Sequence, residues 1–247
     1  MIEAKNFPLK KADWATKLIE KLYDISILDP FSILDIQDLL KDKPDLNLLI
    51  YFNHISYPDP AFVLWMYNKF IDPNLKRHTI LPGSYFHTEF SHNPAFAAAF
   101  YAAKKLYSLE SIRLIQSYMV NQSYTEEQAM ANYREFISMI KESKEKGPVS
   151  LILSPEGHRS DDGLSLQEGD KGIVKLAQIL APVALLPVGL NYPDRNYDRS
   201  NLNLGSRVDV FLGKPIMAKD RSEVPSHDYL MRNLAAILPE DMRGFWQ

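Results

Sequence analysis

His54 and Asp59, five positions apart, and Glu156 and Arg159, three apart and about a hundred residues later, are the side chains of this 247-residue chain whose types and spacing allow chemistry. Along an extended strand His54 and Asp59 would stand about 16 Å apart, and on a regular helix they would point about 140° away from each other. Neither geometry permits a hydrogen bond, so the residues between them must turn. Pro58 and Pro60 bracket the aspartate in a way that suits a turn into a helix. In such a turn the Asp59 carboxylate can hold His54 Nδ1–H and leave Nε2 as an acceptor. The pair is then a base and its orienter, able to take a proton from a hydroxyl as it attacks a carbonyl carbon, typically about 10²–10⁴-fold in rate. Ser56 lies on the same tight turn and ranks low as a nucleophile. The competing reading of the pair is a local hydrogen bond plus a helix cap. An arginine at a strand mouth suits bidentate phosphate binding, and its competing reading is a surface ion pair with Glu156.

Both clusters need strands to carry them. The apolar run Leu48–Phe52 leads into Asn53-His54-Ile55-Ser56-Tyr57-Pro58-Asp59, and Val149–Leu153 leads into Ser154-Pro155-Glu156-Gly157-His158-Arg159-Ser160. In open α/β sheets ligands bind at the carboxyl ends of such strands. Further strands are expected at His78–Pro82, Val183–Leu190 and Arg207–Leu212. Helices are expected at Ala61–Phe70, with Asp59 as N-cap and Pro60 at its first position, and at Pro94–Lys105. Others follow at about Gly169 to Leu180 and about Asp228 to Leu238. Thr125-Glu126-Glu127-Gln128 is a capping box that starts a helix through Lys144, stopped by Gly147-Pro148.

Upstream, Trp14, Leu18, Ile19, Leu22 and Tyr23 recur at helical spacing, and a second short helix covers Phe31 to Leu40. This segment is either a packing layer on the core or a membrane-facing amphipathic patch. The fold class expected is α/β: one domain with a mainly parallel sheet flanked by helices, preceded by a short N-terminal helical segment over 1–44. The helix Ala95–Ala103 is apolar nearly all round and reads as core, with the border of an acyl-chain tunnel as the other reading. Phe245-Trp246 could pack or touch membrane.

Composition bounds the partners. A 46% apolar and 24% charged chain of this length fills one ordinary core. A net charge of −3 gives no overall attraction to nucleic acid or to anionic lipid, and no basic stripe carrying aromatics supports nucleic-acid binding. With no cysteine there is no thiol nucleophile or thiolate metal site, and a reducing compartment fits. The N-terminus lacks the layout of a signal peptide. The longest uncharged stretch, Leu176 to Pro193, is cut by Pro182 and Pro187 and reads as a helix end followed by a strand rather than a membrane span. His78, His87 and His92 have the spacing of neither a helix-face pair nor a zinc module.

The ordered set of these motifs resembles the glycerolipid acyltransferases, the family of 1-acylglycerol-3-phosphate and glycerol-3-phosphate acyltransferases. Asn53-His54 with Asp59 is similar to its first block, and Ser154-Pro155-Glu156-Gly157-His158-Arg159-Ser160 to its third, with Ser154 and His158 where the family usually has Phe and Thr. Leu186-Pro187-Val188-Gly189 is similar to the fourth, and Lys171–Ala177 and Gly213-Lys214-Pro215 resemble flanking segments, so the resemblance spans roughly residues 45 to 216. The second block is best matched by Leu106–Arg113, which keeps the Arg but lacks its Gly and Asp.

The resemblance implies an acyltransferase domain over 45–247 that moves a fatty acyl group from a CoA or acyl-carrier-protein thioester. The acceptor would be a hydroxyl of glycerol 3-phosphate, a lysophospholipid or a related alcohol. His54 would be the general base oriented by Asp59, with Glu156, Gly157, Arg159, Arg113 and Ser160 binding substrate. No metal or redox cofactor is required. The protein would be cytoplasmic, with peripheral contact at the inner membrane face as a further expectation. The rivals are a thioester or ester hydrolase in which His54 activates water, and a catalytically idle lipid-binding module.

Overall fold

The structure, a computed structural model, describes residues 2–84, 88–91, 94–116, 119–195, 197–198 and 201–247. His87 and His92 lie outside the described residues. The strands are β1 (Asp24–Leu28), β2 (Asn47–Phe52), β3 (His78–Ile80), β4 (Gly83–Ser84), β5 (Arg113–Leu114), β6 (Val149–Leu153), β7 (Val183–Asn191), β8 (Arg207–Leu212) and β9 (Ile216–Ala218). The helices are α1 (Ile2–Leu22), α2 (Phe31–Asp42), α3 (Asp59–Met66), α4 (Pro94–Leu106), α5 (Glu126–Lys146), α6 (Gly172–Leu180) and α7 (His227–Ala236).

Seven strands form one sheet in the order β1-β8-β7-β2-β6-β3, with β9 paired to β7 beside β8. The β3, β6, β2 and β7 strands run parallel, and β8 and β9 run antiparallel to β7. This is the mainly parallel α/β sheet flanked by helices that the alternating pattern predicts. Its central strands β2, β6 and β7 are buried at every residue, as strands covered on both faces must be. Their apolar runs are therefore continuous rather than alternating.

The parallel direction of β2, β6 and β7 brings three strand ends to one edge of the sheet. Each leads straight into a polar segment, at Asn53, Ser154 and Tyr192. The central strand is pinned at both ends by a buried asparagine. Asn47 Nδ2 donates to the Leu180 and Pro182 carbonyls at 2.6 and 3.2 Å, and its Oδ1 accepts from Val149 N at 2.9 Å. Asn53 exchanges two bonds with Leu190 of β7, at 3.0 and 2.7 Å. These side chains continue the backbone ladder where the strands stop.

Two elements depart from the sequence expectation. The segment 1–44 is not wholly helical, because Asp24–Leu28 forms β1, in parallel register with β8 from Asp24↔Arg207 to Leu28↔Phe211. The expected core helix α4 lies at the surface. Helix α1 packs on the core through Ala12, Ala15 and Thr16 while Trp14 stays 56% exposed, so it is a packing layer that still presents an aromatic residue outward. The Thr125 capping box forms as expected. His78 pairs with Glu110, Nδ1 to Oε1 at 3.2 Å. Trp246 is buried, and Phe245 beside it is exposed.

Replacing Asn47 by Ala leaves the buried Val149 N–H and Leu180 carbonyl without the partner that the side chain gives them, while the Pro182 carbonyl keeps the backbone N–H of residue 47. We expect Asn47→Ala to lower the unfolding free energy by about 1–3 kcal/mol, read from the midpoint of a urea titration.

Candidate functional site

The turn after β2 is built around one carboxylate. Asp59 is fully buried, and Oδ2 accepts from the backbone N–H groups of Ile55 and Ser56 at 2.5 and 2.7 Å. The same oxygen takes His54 Nδ1 at 3.1 Å, and Oδ1 accepts from the Tyr192 hydroxyl at 2.8 Å. Asp59 is therefore not an N-cap. It lies inside the first turn of α3, whose cap position is Pro58, and its side chain reaches back to close the preceding turn. That closure brings His54 to it, as the spacing required. The His54 side chain is 19% exposed, and its Nε2 has no hydrogen-bond partner among the described residues. With Nδ1–H donated to Asp59, Nε2 carries the lone pair and faces the accessible side.

The second cluster docks onto the first through the backbone. Glu156 Oε1 accepts from His54 N–H at 2.7 Å, and the Ser160 N–H donates to the His54 carbonyl at 2.7 Å. Glu156 Oε2 accepts from Gln167 N–H at 2.9 Å. Glu156 is thus buried with both oxygens engaged, a strut between two loops and not a surface partner of Arg159. Burial pushes its carboxyl up to about 8, against the pull of the two backbone donors. Gly157 turns the chain with φ of +70°, where a residue with a Cβ is strained, and its carbonyl accepts from Gln116 Nε2.

Arg159 lies over the Tyr57 ring, with its guanidinium carbon 3.9 Å from the centroid. This cation–π contact holds the guanidinium next to the His54 turn. Ser160 is buried, and its hydroxyl is committed to Asp162 Oδ1 at 2.6 Å and the Ser165 carbonyl at 2.7 Å. It holds the loop. Ser56 is also fully buried, and its Oγ accepts from Asn203 Nδ2 at 2.8 Å, which agrees with its low rank as a nucleophile. His158 Nδ1 sits 2.9 Å from the Arg159 carbonyl. Arg113 lines a cleft with Lys104 and Glu135 between α4 and β5, and it is Gln116, three residues on, that reaches the Glu156–Ser160 loop.

His54, Asp59, Glu156, Gly157, Arg159 and Ser160 therefore converge, and Arg113 stands in a neighbouring cleft. No protein-family model and no curated protein matches this chain.

Sequence reasoning missed Tyr192, Gln167 and Tyr57. Tyr192 had a signal, since it follows the third buried strand just as His54 and Glu156 follow the other two. Its hydroxyl is pushed well above the ordinary tyrosine range by burial, with the Asp59 carboxylate adding to the effect, so it stays a donor. A cleft of about 330 Å³ opens beside Tyr192 and is lined by Asp194, Asn203 and Arg207 among others.

Two outcomes follow from Glu156. A carboxyl raised from 4.5 to about 8 takes up a proton on folding. The stability this contributes is complete below the lower value and is lost as pH rises through the upper. Thermal midpoints should fall over that window in the native chain and stay flatter in Glu156→Gln. At acid pH that variant should still be less stable by about 1–3 kcal/mol, because its amide nitrogen cannot accept from Gln167 or His54 N–H.

Proposed function

We propose that the chain is an acyltransferase moving a fatty acyl group from a CoA or acyl-carrier-protein thioester to a hydroxyl of glycerol 3-phosphate, a lysophospholipid or a related acceptor. The observation that carries the reading is the 3.1 Å contact of His54 Nδ1 with the buried Asp59 carboxylate, with Nε2 on the accessible side. A histidine held this way is a base whose tautomer and direction are set before substrate arrives.

His54 Nε2 takes the proton of the acceptor hydroxyl as its oxygen attacks the thioester carbonyl carbon. The C=O electrons move onto oxygen and form a tetrahedral oxyanion. Collapse of that intermediate breaks the C–S bond, and the departing sulfur receives the proton from Nε2. Between the two steps the imidazolium faces the Asp59 carboxylate, which lowers the cost of its charge. Arg159, held over the Tyr57 ring, supplies N–H donors suited to a phosphate on the acceptor. Gly157 lets the backbone pass beside them, and a Cβ built there meets nothing within 4 Å, so there is room for a ligand on that side. Arg113 is proposed as a further anion contact at the rim.

Among the described residues no helix is long and apolar enough to cross a membrane. In this reading the protein acts from the cytoplasm, with peripheral contact at the inner membrane face.

The test is thiol release from palmitoyl-CoA and from an acyl-carrier-protein thioester, with no acceptor, with glycerol 3-phosphate and with lysophosphatidic acid. Acceptor-dependent release that drops about 10²–10⁴-fold in His54→Ala is the expected result. Release that ignores the acceptor would instead identify a hydrolase, and silence in every arm would favour an idle lipid-binding module. Tyr192→Phe removes one of the four donors on Asp59 without touching substrate. We expect kcat to fall about tenfold with KM held, and a loss confined to KM would refute this positioning role.

A further inference from the structure

Helix α4 is apolar nearly all round, yet among its described side chains only Ala97 is fully buried. Pro94, Ala95, Ala98, Ala99, Tyr101 and Ala102 all face outward. Phe90, 56% exposed, lies flat against Tyr101 with ring centroids 5.6 Å apart and planes 6° from parallel. A stacked aromatic pair on an alanine surface is costly to leave in water. The helix has Lys104 and Lys105 in its last turn and no acidic residue, although the whole chain is negative at −3. Lys104 also lines, with Arg113 and Glu135, a cleft of about 190 Å³ at the edge of this face.

We infer that α4 and Phe90 form a docking surface for an anionic lipid bilayer. The helix lies in the plane of the interface, its alanine face and the Phe90–Tyr101 pair enter the headgroup boundary, and the lysines meet lipid phosphates. Charge selects this occupant over a second copy of the chain. In an isologous contact this face would meet an identical face, with no acidic residue on the helix to pair Lys104 and Lys105. The inference needs no part of the acyl-transfer chemistry.

The test is co-sedimentation of the full chain with vesicles of phosphatidylcholine alone and of phosphatidylcholine with about one third phosphatidylglycerol, at low and high salt. Binding to the anionic vesicles that weakens with salt is expected, and Ala98→Glu and Phe90→Ser should each lower it about tenfold with far-ultraviolet circular dichroism and thermal midpoint unchanged. Absence of binding to anionic vesicles overturns the inference. So does binding unaltered in both variants, or a dimer in sedimentation velocity that Ala98→Glu abolishes. His54→Ala should bind vesicles normally, and Ala98→Glu should keep thiol release from a water-soluble short-chain thioester, so failure of the docking surface and failure of the catalytic reading are told apart.

Discussion

A fully buried carboxylate is tolerable only when its lone pairs are met, and Asp59 meets them with four donors drawn from two places in the chain. Two are backbone groups of the turn it closes, one is the imidazole it aims, and one is a hydroxyl from the end of β7. Desolvation couples the four donors to one another. Losing any donor exposes the carboxylate to an environment that cannot solvate it, so the turn, the histidine tautomer and the docking of β7 support one another.

The parallel sheet makes that convergence possible. Antiparallel neighbours would send the ends of β2 and β7 to opposite edges, and Tyr192 could not reach Asp59. With β2 between β6 and β7, its end has a partner loop on each side. On the β6 side the loop supplies Glu156 and Ser160, which hold both backbone groups of His54. On the β7 side Asn53 continues the ladder to Leu190. His54 is therefore fixed through its main chain as well as its ring, the preorganisation that the proposed proton transfer needs.

The sequence made legible what depends on local pattern. Long buried strands such as Val183–Asn191, the Thr125 cap and the turn demanded by His54 and Asp59 all follow from spacing and residue type. Strand β1 did not, because Asp24–Leu28 has charge at its start and intermediate burial at its centre, and its identity comes from pairing with Arg207–Phe211 far along the chain. Helix α4 misled for the opposite reason. Its residues carry the signal of a core helix, and nothing local states which faces find a partner. Glu156 was legible as a chemical residue but not in its direction. A carboxylate beside Arg159 reads as that arginine's partner, and only the fold reveals two backbone N–H groups on the other side.

The same limit explains why the far end of the sequence belongs to the site. Gln167 holds Glu156 through its N–H, and its carbonyl accepts from Trp246 Nε1 at 2.9 Å. Leu166 N–H donates to the Met242 carbonyl at 2.8 Å, and its own carbonyl accepts from Phe245 N–H at 3.2 Å. Gly244 lies so close that a Cβ there would stand 2.4 Å from the Leu166 oxygen, and its φ of +52° already favours glycine. The C-terminal turn thus clamps residues 166–167, these hold Glu156, and Glu156 holds His54. Each of these links has a backbone N–H or carbonyl on at least one side, and none lies at the free face of the His54 ring. Precision at His54 is therefore a property of the tertiary fold, spread from residue 53 to residue 246, while the proposed chemistry needs only a few residues of one turn.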